Sequence, residues 1–213
     1  MTTRTYGIFD RVIGEIDKAI KVLASPAHPS RAAPAPAGGE FELTDGERQA
    51  SIRLMRVNHS GEIAAQALYQ GQALTARNGT VAAAMRHAAS EEMDHLAWCD
   101  ERLKQLNGRS SLLTPLWYAG SFLIGSLAGI LGDRASLGFI AETERQVESH
   151  LRDHLDRLPP EDRRSRAILQ QMTHDEIQHG VNAAALGGKD LPFWLKGAMH
   201  LTSKLMTRGS YWL

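Results

Sequence analysis

Two short stretches of the chain pair a glutamate with a histidine three residues later. EEMDHLAW (91–98) contains Glu92 and His95, and HDEIQHGV (174–181) contains Glu176 and His179. A spacing of three residues puts both side chains on one face of a helix. A carboxylate and an imidazole on the same helix face can bind a divalent metal ion together. Each pair is therefore a candidate half of a metal site.

The residues around these pairs predict helices, and no segment shows the sustained alternation of a β-strand. The four helices are predicted over about residues 44–77, 80–107, 135–158 and 161–186. Thr44 and Glu47 form a capping-box pattern at the start of the first helix. A tight turn at Asn78-Gly79 separates it from the second, so these two helices should pack as an antiparallel hairpin. The predicted fold class is all-α.

Each of the four predicted helices places a carboxylate on an otherwise mainly apolar stripe. Glu62 lies on such a stripe in the first helix, and Glu144 does so in the third. Burying a carboxylate without a partner is costly, so four helices with this feature need a common explanation. A pair of divalent metal ions provides one. The candidate ligands are Glu62, Glu92, His95, Glu144, Glu176 and His179.

The third helix offers more than one carboxylate. AETERQVESH (141–150) contains Glu142, Glu144 and Glu148, and helical geometry alone does not separate Glu144 from Glu148, which share a face. Ferritin-like di-iron bundles bind their metal ions with one Glu from each of two helices and a Glu-x-x-His pair from each of the other two. Oxygen-rich ligation with two imidazoles suits iron or manganese better than a structural zinc ion. The pattern predicts a ferritin-like four-helix bundle.

Four motifs resemble those of the demethoxyubiquinone hydroxylases, which are membrane-associated di-iron monooxygenases of ubiquinone biosynthesis. They are RVNHSGEIAA (56–65), EEMDHL (91–96), PLWYAGSFLIGSLAG (115–129) and DEIQHG (175–180), and the resemblance covers roughly residues 44–213. It implies that the ring of a polyprenyl 2-methoxy-benzoquinol, demethoxyubiquinol, is hydroxylated with O₂.

The resemblance also implies roles for individual residues. Two iron ions per chain would be bridged by Glu92 and Glu176, while Glu62 and Glu144 would each cap one ion. The distance from the Pro-Leu-Trp motif favours Glu144 over Glu148. Tyr69 and His150 are candidates for a proton or electron relay, and for His150 this rests on the family pattern.

Glu91 and Asp175 each precede a candidate ligand glutamate. Either carboxylate can accept the outer N–H of a ligand histidine on another helix. The alternative is that both are simple surface acids.

Composition limits the partners. Lys plus Arg equals Asp plus Glu at 24 each, so no basic field points to nucleic acid. The single cysteine, Cys99, rules out an internal disulfide and is expected to be a small buried residue. The chain has no glycine-rich dinucleotide motif and no cysteine cluster, so electrons are expected from outside it, either from an external reductant or through the quinol itself. Other ubiquinone-biosynthesis proteins are implied as partners, and a homo-oligomer is left open.

The N-terminal segment differs from the rest of the chain. Residues 1–24 have dispersed charges without a secretory signal, and 8–24 predict an amphipathic helix. Residues 25–43 are rich in Pro, Ala and Gly and are interpreted as a linker. The predicted hydroxylase domain is 44–213.

Two segments of that domain predict contact with a membrane. Residues 110–132 carry no charge, but Pro115 and several glycines argue against a transmembrane span. We expect a long crossover helix between the second and third bundle helices. Residues 191–213 predict an extra amphipathic helix with aromatic and basic residues. The predicted protein is peripheral on the cytoplasmic face of the cell membrane, and both segments are expected to line the path of the quinol.

Two other functions remain open at this level. An iron-storage or peroxide-reducing ferritin-like protein would use the same ligands, but it leaves the uncharged crossover unexplained. A non-enzymatic quinone-binding or quinone-chaperone protein is the other alternative, in which the carboxylates would be relics of a lost metal site.

Overall fold

The computed structural model describes residues 8–24, 27–36, 38–39 and 42–213. This part of the chain contains seven α-helices and no β-strand, which confirms the predicted all-α class. The helices are α1 (Ile8–Ala24), α2 (Asp45–Thr75), α3 (Gly79–Gln105), α4 (Thr114–Ile130), α5 (Asp133–Arg157), α6 (Arg163–Ala185) and α7 (Phe193–Trp212). Residues 1–7 of the predicted N-terminal segment, and 25, 26, 37, 40 and 41 of the predicted linker, lie outside the described residues. The division into an N-terminal helix, a linker and a hydroxylase domain stays a prediction.

Local capping sets where the bundle helices begin. The predicted capping box starts α2, because the Glu47 carboxylate accepts the backbone N–H of Thr44 at 2.8 Å and the Thr44 hydroxyl accepts that of Glu47. The side chain of Asn78 caps α3. Helix α6 begins at Arg163, two residues after the predicted Glu161, because the Asp162 carboxylate accepts the Ser165 N–H at 3.0 Å.

Helices α2, α3, α5 and α6 form the four-helix bundle, with α2 packed on α3 and α5 packed on α6. Two apolar clusters fill its interior. One contains Met55, Trp98 and Leu169, and the other contains Tyr69, Met85 and Leu137. Along each of α2, α3 and α6, the candidate ligands lie between residues of the first apolar cluster and residues of the second. The carboxylates therefore occupy the middle of the bundle, with apolar packing on both sides.

Helix α4 is the crossover between α3 and α5, and it packs mainly against α2. Glycines permit this close approach. A Cβ atom at Gly125 would lie 2.2 Å from the backbone oxygen of Leu68, and one at Gly129 would lie 1.9 Å from the Thr75 hydroxyl oxygen. Among the described residues, no helix combines the length and apolarity that crossing a bilayer requires.

Helix α1 lies against α2 and α4 and buries Val22. Much of its predicted apolar face is exposed, including Ile13, Ile16 and Ile20. Cys99 is fully buried, as predicted, and its sulfur lies 3.9 Å from that of Met172.

Candidate metal centre

The bundle brings the six candidate ligands together in its interior, and all six side chains are buried. They form two groups, within each of which the ligand atoms lie no more than 4.8 Å apart. The first group is Glu62, Glu92, His95 and Glu176, and the second is Glu92, Glu144, Glu176 and His179. Glu92 and Glu176 belong to both groups, so each can contact two metal ions.

The inner nitrogen of each histidine faces these carboxylates. His95 Nδ1 lies 3.2 Å from Glu176 Oε1, 3.3 Å from Glu92 Oε2 and 3.5 Å from Glu62 Oε2. His179 Nδ1 lies 3.1 Å from Glu176 Oε2 and 3.3 Å from Glu92 Oε1. The two imidazoles therefore contact different carboxylate oxygens of each shared glutamate, Glu92 and Glu176.

The outer nitrogen of each histidine meets a carboxylate from the other helix. His95 Nε2 on α3 lies 3.0 Å from Asp175 Oδ2 on α6, and His179 Nε2 on α6 lies 3.0 Å from Glu91 Oε2 on α3. Both contacts agree with the interpretation of Asp175 and Glu91 as acceptors for ligand histidines. An outer carboxylate holds the proton on Nε2 and leaves the Nδ1 lone pair for a metal ion.

Burial and the neighbouring charges shift the titration of the cluster. Burial raises the pKa of Glu62 and of Glu144 well above the ordinary value. Burial alone would also raise the pKa of the Glu92 carboxyl. Hydrogen bonds from His179 and His95 instead lower this pKa below the ordinary range. Burial favours neutral His179, yet hydrogen bonds to Glu176 and Glu92 raise the pKa of its imidazole to about 12. Carboxylates and imidazoles therefore compete for protons, and divalent cations would displace those protons.

The donor set fits divalent metal ions. Glu62 Oε2 and Glu92 Oε1 are buried, and among the described residues their only partner is a poorly aligned histidine Nδ1, at 3.5 Å and 3.3 Å respectively. Such atoms are unfavourable unless a cation or another polar group contacts them. Four carboxylates and two imidazoles, divided into two overlapping groups, match the preferences of iron or manganese.

Tyr69 lies beside this cluster and is buried. Its hydroxyl donates a short hydrogen bond to Glu144 Oε1. Burial raises the pKa of the Tyr69 hydroxyl well above its ordinary value, so it stays protonated at neutral pH. Tyr69 can therefore hold a proton at a ligand carboxylate.

His150 lies at the edge of the ligand cluster. It lines a cavity of about 40 Å³ together with Glu62, Glu144 and Glu176. Burial lowers the pKa of His150 to about 4, and its ring packs on His154 with the centroids 3.9 Å apart. His150 is thus a neutral polar group at the edge of the site.

The carboxylates of the third bundle helix, α5, have different surroundings. Glu144 is buried in the cluster, whereas Glu148 is partly exposed and pairs with Arg152 at 2.8 Å. Glu142 points to the Arg145 guanidinium at 2.6 Å. Of the three alternatives, only Glu144 joins the ligand groups found in the described residues.

Sequence reasoning missed four polar residues near the site. Asn58 Oδ1 lies 2.8 Å from His154 Nδ1, and Arg31 pairs with the buried Asp94 at 2.7 Å. Asp94 precedes a candidate ligand histidine, and its place on α3 could have drawn attention to it. Arg31 gives no such signal, because it lies in a segment interpreted as a linker.

Comparison with known proteins identifies the family. The family model of the ubiquinone biosynthesis protein COQ7 matches residues 49–210. The chain belongs to this family. A 3-demethoxyubiquinol 3-hydroxylase of Chromobacterium violaceum is 52% identical over 204 residues, which cover 96% of this chain and 99% of the relative. A protein of the same name from Cupriavidus taiwanensis is 55% identical and covers 95% of this chain and 99% of the relative.

The similarity also includes much of the N-terminal segment that the four motifs leave out. The Legionella pneumophila protein of the same name is 50% identical over 212 residues, which cover 99% of this chain and all of the relative. Family membership therefore applies to a longer part of the chain than residues 44–213.

A solved structure supports the ferritin-like architecture. The chain is similar to the dodecameric thioferritin, a bacterioferritin-related protein from Bacteroides fragilis, with a TM-score of 0.55 and 16% identity. The match covers 65% of this chain and 84% of that chain. Identity this low shows the fold alone, and the predicted ferritin-like class is confirmed.

Proposed function

We propose that the protein is an O₂-dependent 3-demethoxyubiquinol 3-hydroxylase, a di-iron monooxygenase that acts late in ubiquinone biosynthesis. The observation that carries the proposal is the pair of overlapping ligand groups that share Glu92 and Glu176. Its substrate class follows from the relatives, which bear this name and align over nearly the whole chain.

In this proposal Glu92 and Glu176, which belong to both ligand groups, would hold both metal ions. Glu62 and His95 complete the first position, and Glu144 and His179 complete the second. When bound, two iron(II) ions would supply two of the four electrons that reduce O₂ to a ring hydroxyl and water, and the hydroxylated C–H bond supplies the other two. The chain has no cofactor motif of its own for returning those electrons, so an external reductant restores them.

The surrounding residues hold the ligands and their protons. Asp175 and Glu91 fix the tautomers of the two histidines through the 3.0 Å contacts to Nε2. Tyr69 donates a hydrogen bond to Glu144 and so holds a proton at that carboxylate. We assign His150 a relay role at the cavity edge, where burial keeps its imidazole neutral, with one ring nitrogen free to donate a hydrogen bond and the other to accept one.

We propose that the quinol ring approaches the carboxylates at the cavity of about 40 Å³ beside them, which would widen to admit it. Met206 and Thr207 of α7 line it together with Glu62, Glu144 and Glu176. The residues that line this cavity include none from α4, which supports α7 as the wall of the inner part of the expected route. The apolar residues around the opening exclude water from the reacting ring.

An exposed apolar surface supports peripheral attachment to a membrane. Helix α4 exposes Leu116, Leu123, Leu127 and Ile130, and α7 exposes Phe193, Trp194, Leu201, Leu205 and Trp212. Exposed apolar patches of this kind mark interaction sites. Lys204 and Arg208 lie on α7 near these residues and suit the anionic headgroups of a lipid surface. We propose that the protein lies on the cytoplasmic face of the cell membrane and takes its polyprenyl quinol from the adjacent leaflet.

The test is turnover with labelled oxygen. The iron-loaded protein is incubated with a demethoxyubiquinol analogue, a chemical reductant and ¹⁸O₂, and the product is analysed by mass spectrometry. We expect one labelled oxygen atom in the ring. Glu176→Ala should abolish it and lower the iron content, whereas Glu101→Ala, at an exposed position on α3, should do neither.

Other outcomes would favour the rival functions. Iron oxidation or peroxide consumption without product would indicate a storage or peroxidase role. Binding of the quinol without either reaction would indicate a non-enzymatic quinone-binding protein.

A further inference from the structure

Residues 27–36, between α1 and α2, contact the bundle at two consecutive residues. The Ser30 hydroxyl donates to Asp94 on α3 at 3.0 Å, and Arg31 Nε donates to Asp94 Oδ2 at 2.7 Å. Arg31 Nη1 also donates to Asp175 Oδ2 on α6 at 2.9 Å. A single guanidinium thus joins α3 and α6 at two carboxylates.

One of these carboxylates contacts a candidate metal ligand. Asp175 Oδ2, which accepts from Arg31, also lies 3.0 Å from His95 Nε2. The other oxygen, Oδ1, accepts from Gln171 Nε2 at 2.9 Å. Both oxygens of Asp175 are therefore held in place, which fixes the direction of its contact to His95.

Arg31 also contacts Trp98, both through its backbone carbonyl and through its guanidinium. The carbonyl oxygen of Arg31 accepts the indole N–H of Trp98 at 3.1 Å, and its guanidinium lies 5.0 Å from the ring centroid of Trp98. The Trp98 ring packs on that of His95, with centroids 5.4 Å apart. Arg31 therefore acts on His95 from two directions, through Asp175 and through Trp98.

The other histidine has a less constrained partner. The Glu91 side chain, which contacts His179, is 33% exposed, whereas that of Asp175 is 12% exposed. Beyond His179, the described residues place only the imidazole of His87 near Glu91, with Nε2 3.8 Å from Oε2. The two histidines differ in how firmly their outer contacts are held, although the inner ligand sets are similar.

We infer that Arg31 is a positioning residue for one of the two metal positions, an inference that rests on the proposed di-iron centre. It orients Asp175 and thereby the His95 ring, so the position formed by Glu62, Glu92, His95 and Glu176 is held more firmly than the position that contains His179. Residues 27–36 are then part of the metal centre, and not a passive linker.

The experiment compares Arg31→Gln and Arg31→Lys with Arg152→Gln, which removes a positive charge from an exposed pair with Glu148. Each full-length protein is loaded with ⁵⁷Fe(II), and its two iron sites are distinguished by Mössbauer spectroscopy. Iron release to a chelator is then followed, and the unfolding of each metal-free protein is measured as a control for fold.

In Arg31→Gln we expect the signal of one iron to change and that iron to be released about tenfold faster, as is typical when a ligand histidine loses its outer support. Arg31→Lys should recover part of the effect, and Arg152→Gln should match the wild type. Asp175→Asn should affect the same signal, and its effect should not add to that of Arg31→Gln, because both act through one contact. Glu91→Gln should change the other signal.

Wild-type release rates in Arg31→Gln, or equal acceleration of both irons, would overturn the positioning role. So would a loss of iron matched by a general loss of stability in the metal-free variant. Failure of the wild-type protein to bind two irons would instead overturn the proposed function, so the two failures are distinguishable.

Discussion

At the scale of single residues, the centre balances buried charge by placing imidazoles between carboxylates. Burial opposes ionisation of Glu62 and Glu144, whereas two histidines favour ionisation of Glu92. Metal ions bound here would replace the protons on the inner nitrogens, so metal binding would be coupled to proton release.

Two glutamates of α5 that share one helix face, Glu144 and Glu148, give a direct test of the ligand set. Glu144→Ala should reduce the iron content from two to about one per chain, because the second metal position loses a carboxylate. Glu148→Ala should keep near wild-type iron, since Glu148 pairs with Arg152 outside the cluster. Metal analysis of the purified variants measures this. The reverse pattern would show that the ligand is Glu148, one helical turn further along α5.

At the scale of helices, small residues control how α4 packs on α2. Gly125→Ala would place a methyl group 2.2 Å from the Leu68 carbonyl oxygen, so α4 must shift. We expect a loss of about 1–3 kcal/mol in the free energy of unfolding, as is typical of overpacking.

Gly120→Ala is the matched control, because a Cβ there meets no atom within 4 Å. This change should leave stability unchanged or raise it by up to about 1 kcal/mol, owing to the higher helix propensity of alanine. Urea denaturation of both variants measures the difference. Equal effects would show that the contact does not limit packing.

The exposed face of α4 gives a prediction for membrane attachment. Leu127 is 61% exposed on α4, and Leu127→Glu should weaken binding to lipid vesicles by about 2 kcal/mol, or roughly thirtyfold, because a carboxylate is excluded from hydrocarbon. Iron content should not change. Vesicle sedimentation measures the binding.

Quinols with long and short tails distinguish an effect of Leu127→Glu on substrate delivery from an effect on folding. Turnover of a long-tailed quinol should fall steeply, while a short-tailed soluble analogue should be processed near the normal rate. Leu186→Glu, at the end of α6, is the control and should retain vesicle binding. Equal losses with both substrates would indicate that Leu127 supports the fold.

At the scale of the whole molecule, buried neutral histidines make stability depend on pH. Burial lowers the pKa of His59 to about 4, whereas an unfolded histidine titrates near 6.5. Below about pH 6.5 the unfolded chain binds the proton first, so stability is lost as the pH falls towards 4. His59 alone should reduce the stability of the metal-free protein by about 2 kcal/mol between pH 8 and pH 5.

Unfolding of His59→Gln at both pH values tests this. The variant should show a smaller pH dependence than the wild type by about that amount. His200→Gln, at an exposed position on α7, should keep the wild-type dependence. An unchanged slope in His59→Gln would mean that other groups account for the acid sensitivity.

The sequence by itself determined the all-α class, the order of the bundle helices and the candidate ligands. These properties depend on local spacing, because residues three or four apart share a helix face whatever the helix packs against. Capping signals were similarly local, and Thr44 with Glu47 started α2 as predicted. The start of α6 was misplaced by two residues because Asp162 was not recognised as its cap.

The tertiary structure decided the features that join distant parts of the chain. It placed Glu144, and not Glu148, among the other carboxylates, and it put α7 at the cavity while α4 packed on α2. It also joined Arg31 to Asp175, which is 144 residues away. No periodicity encodes such contacts, because they depend on which helices meet and how closely their side chains pack.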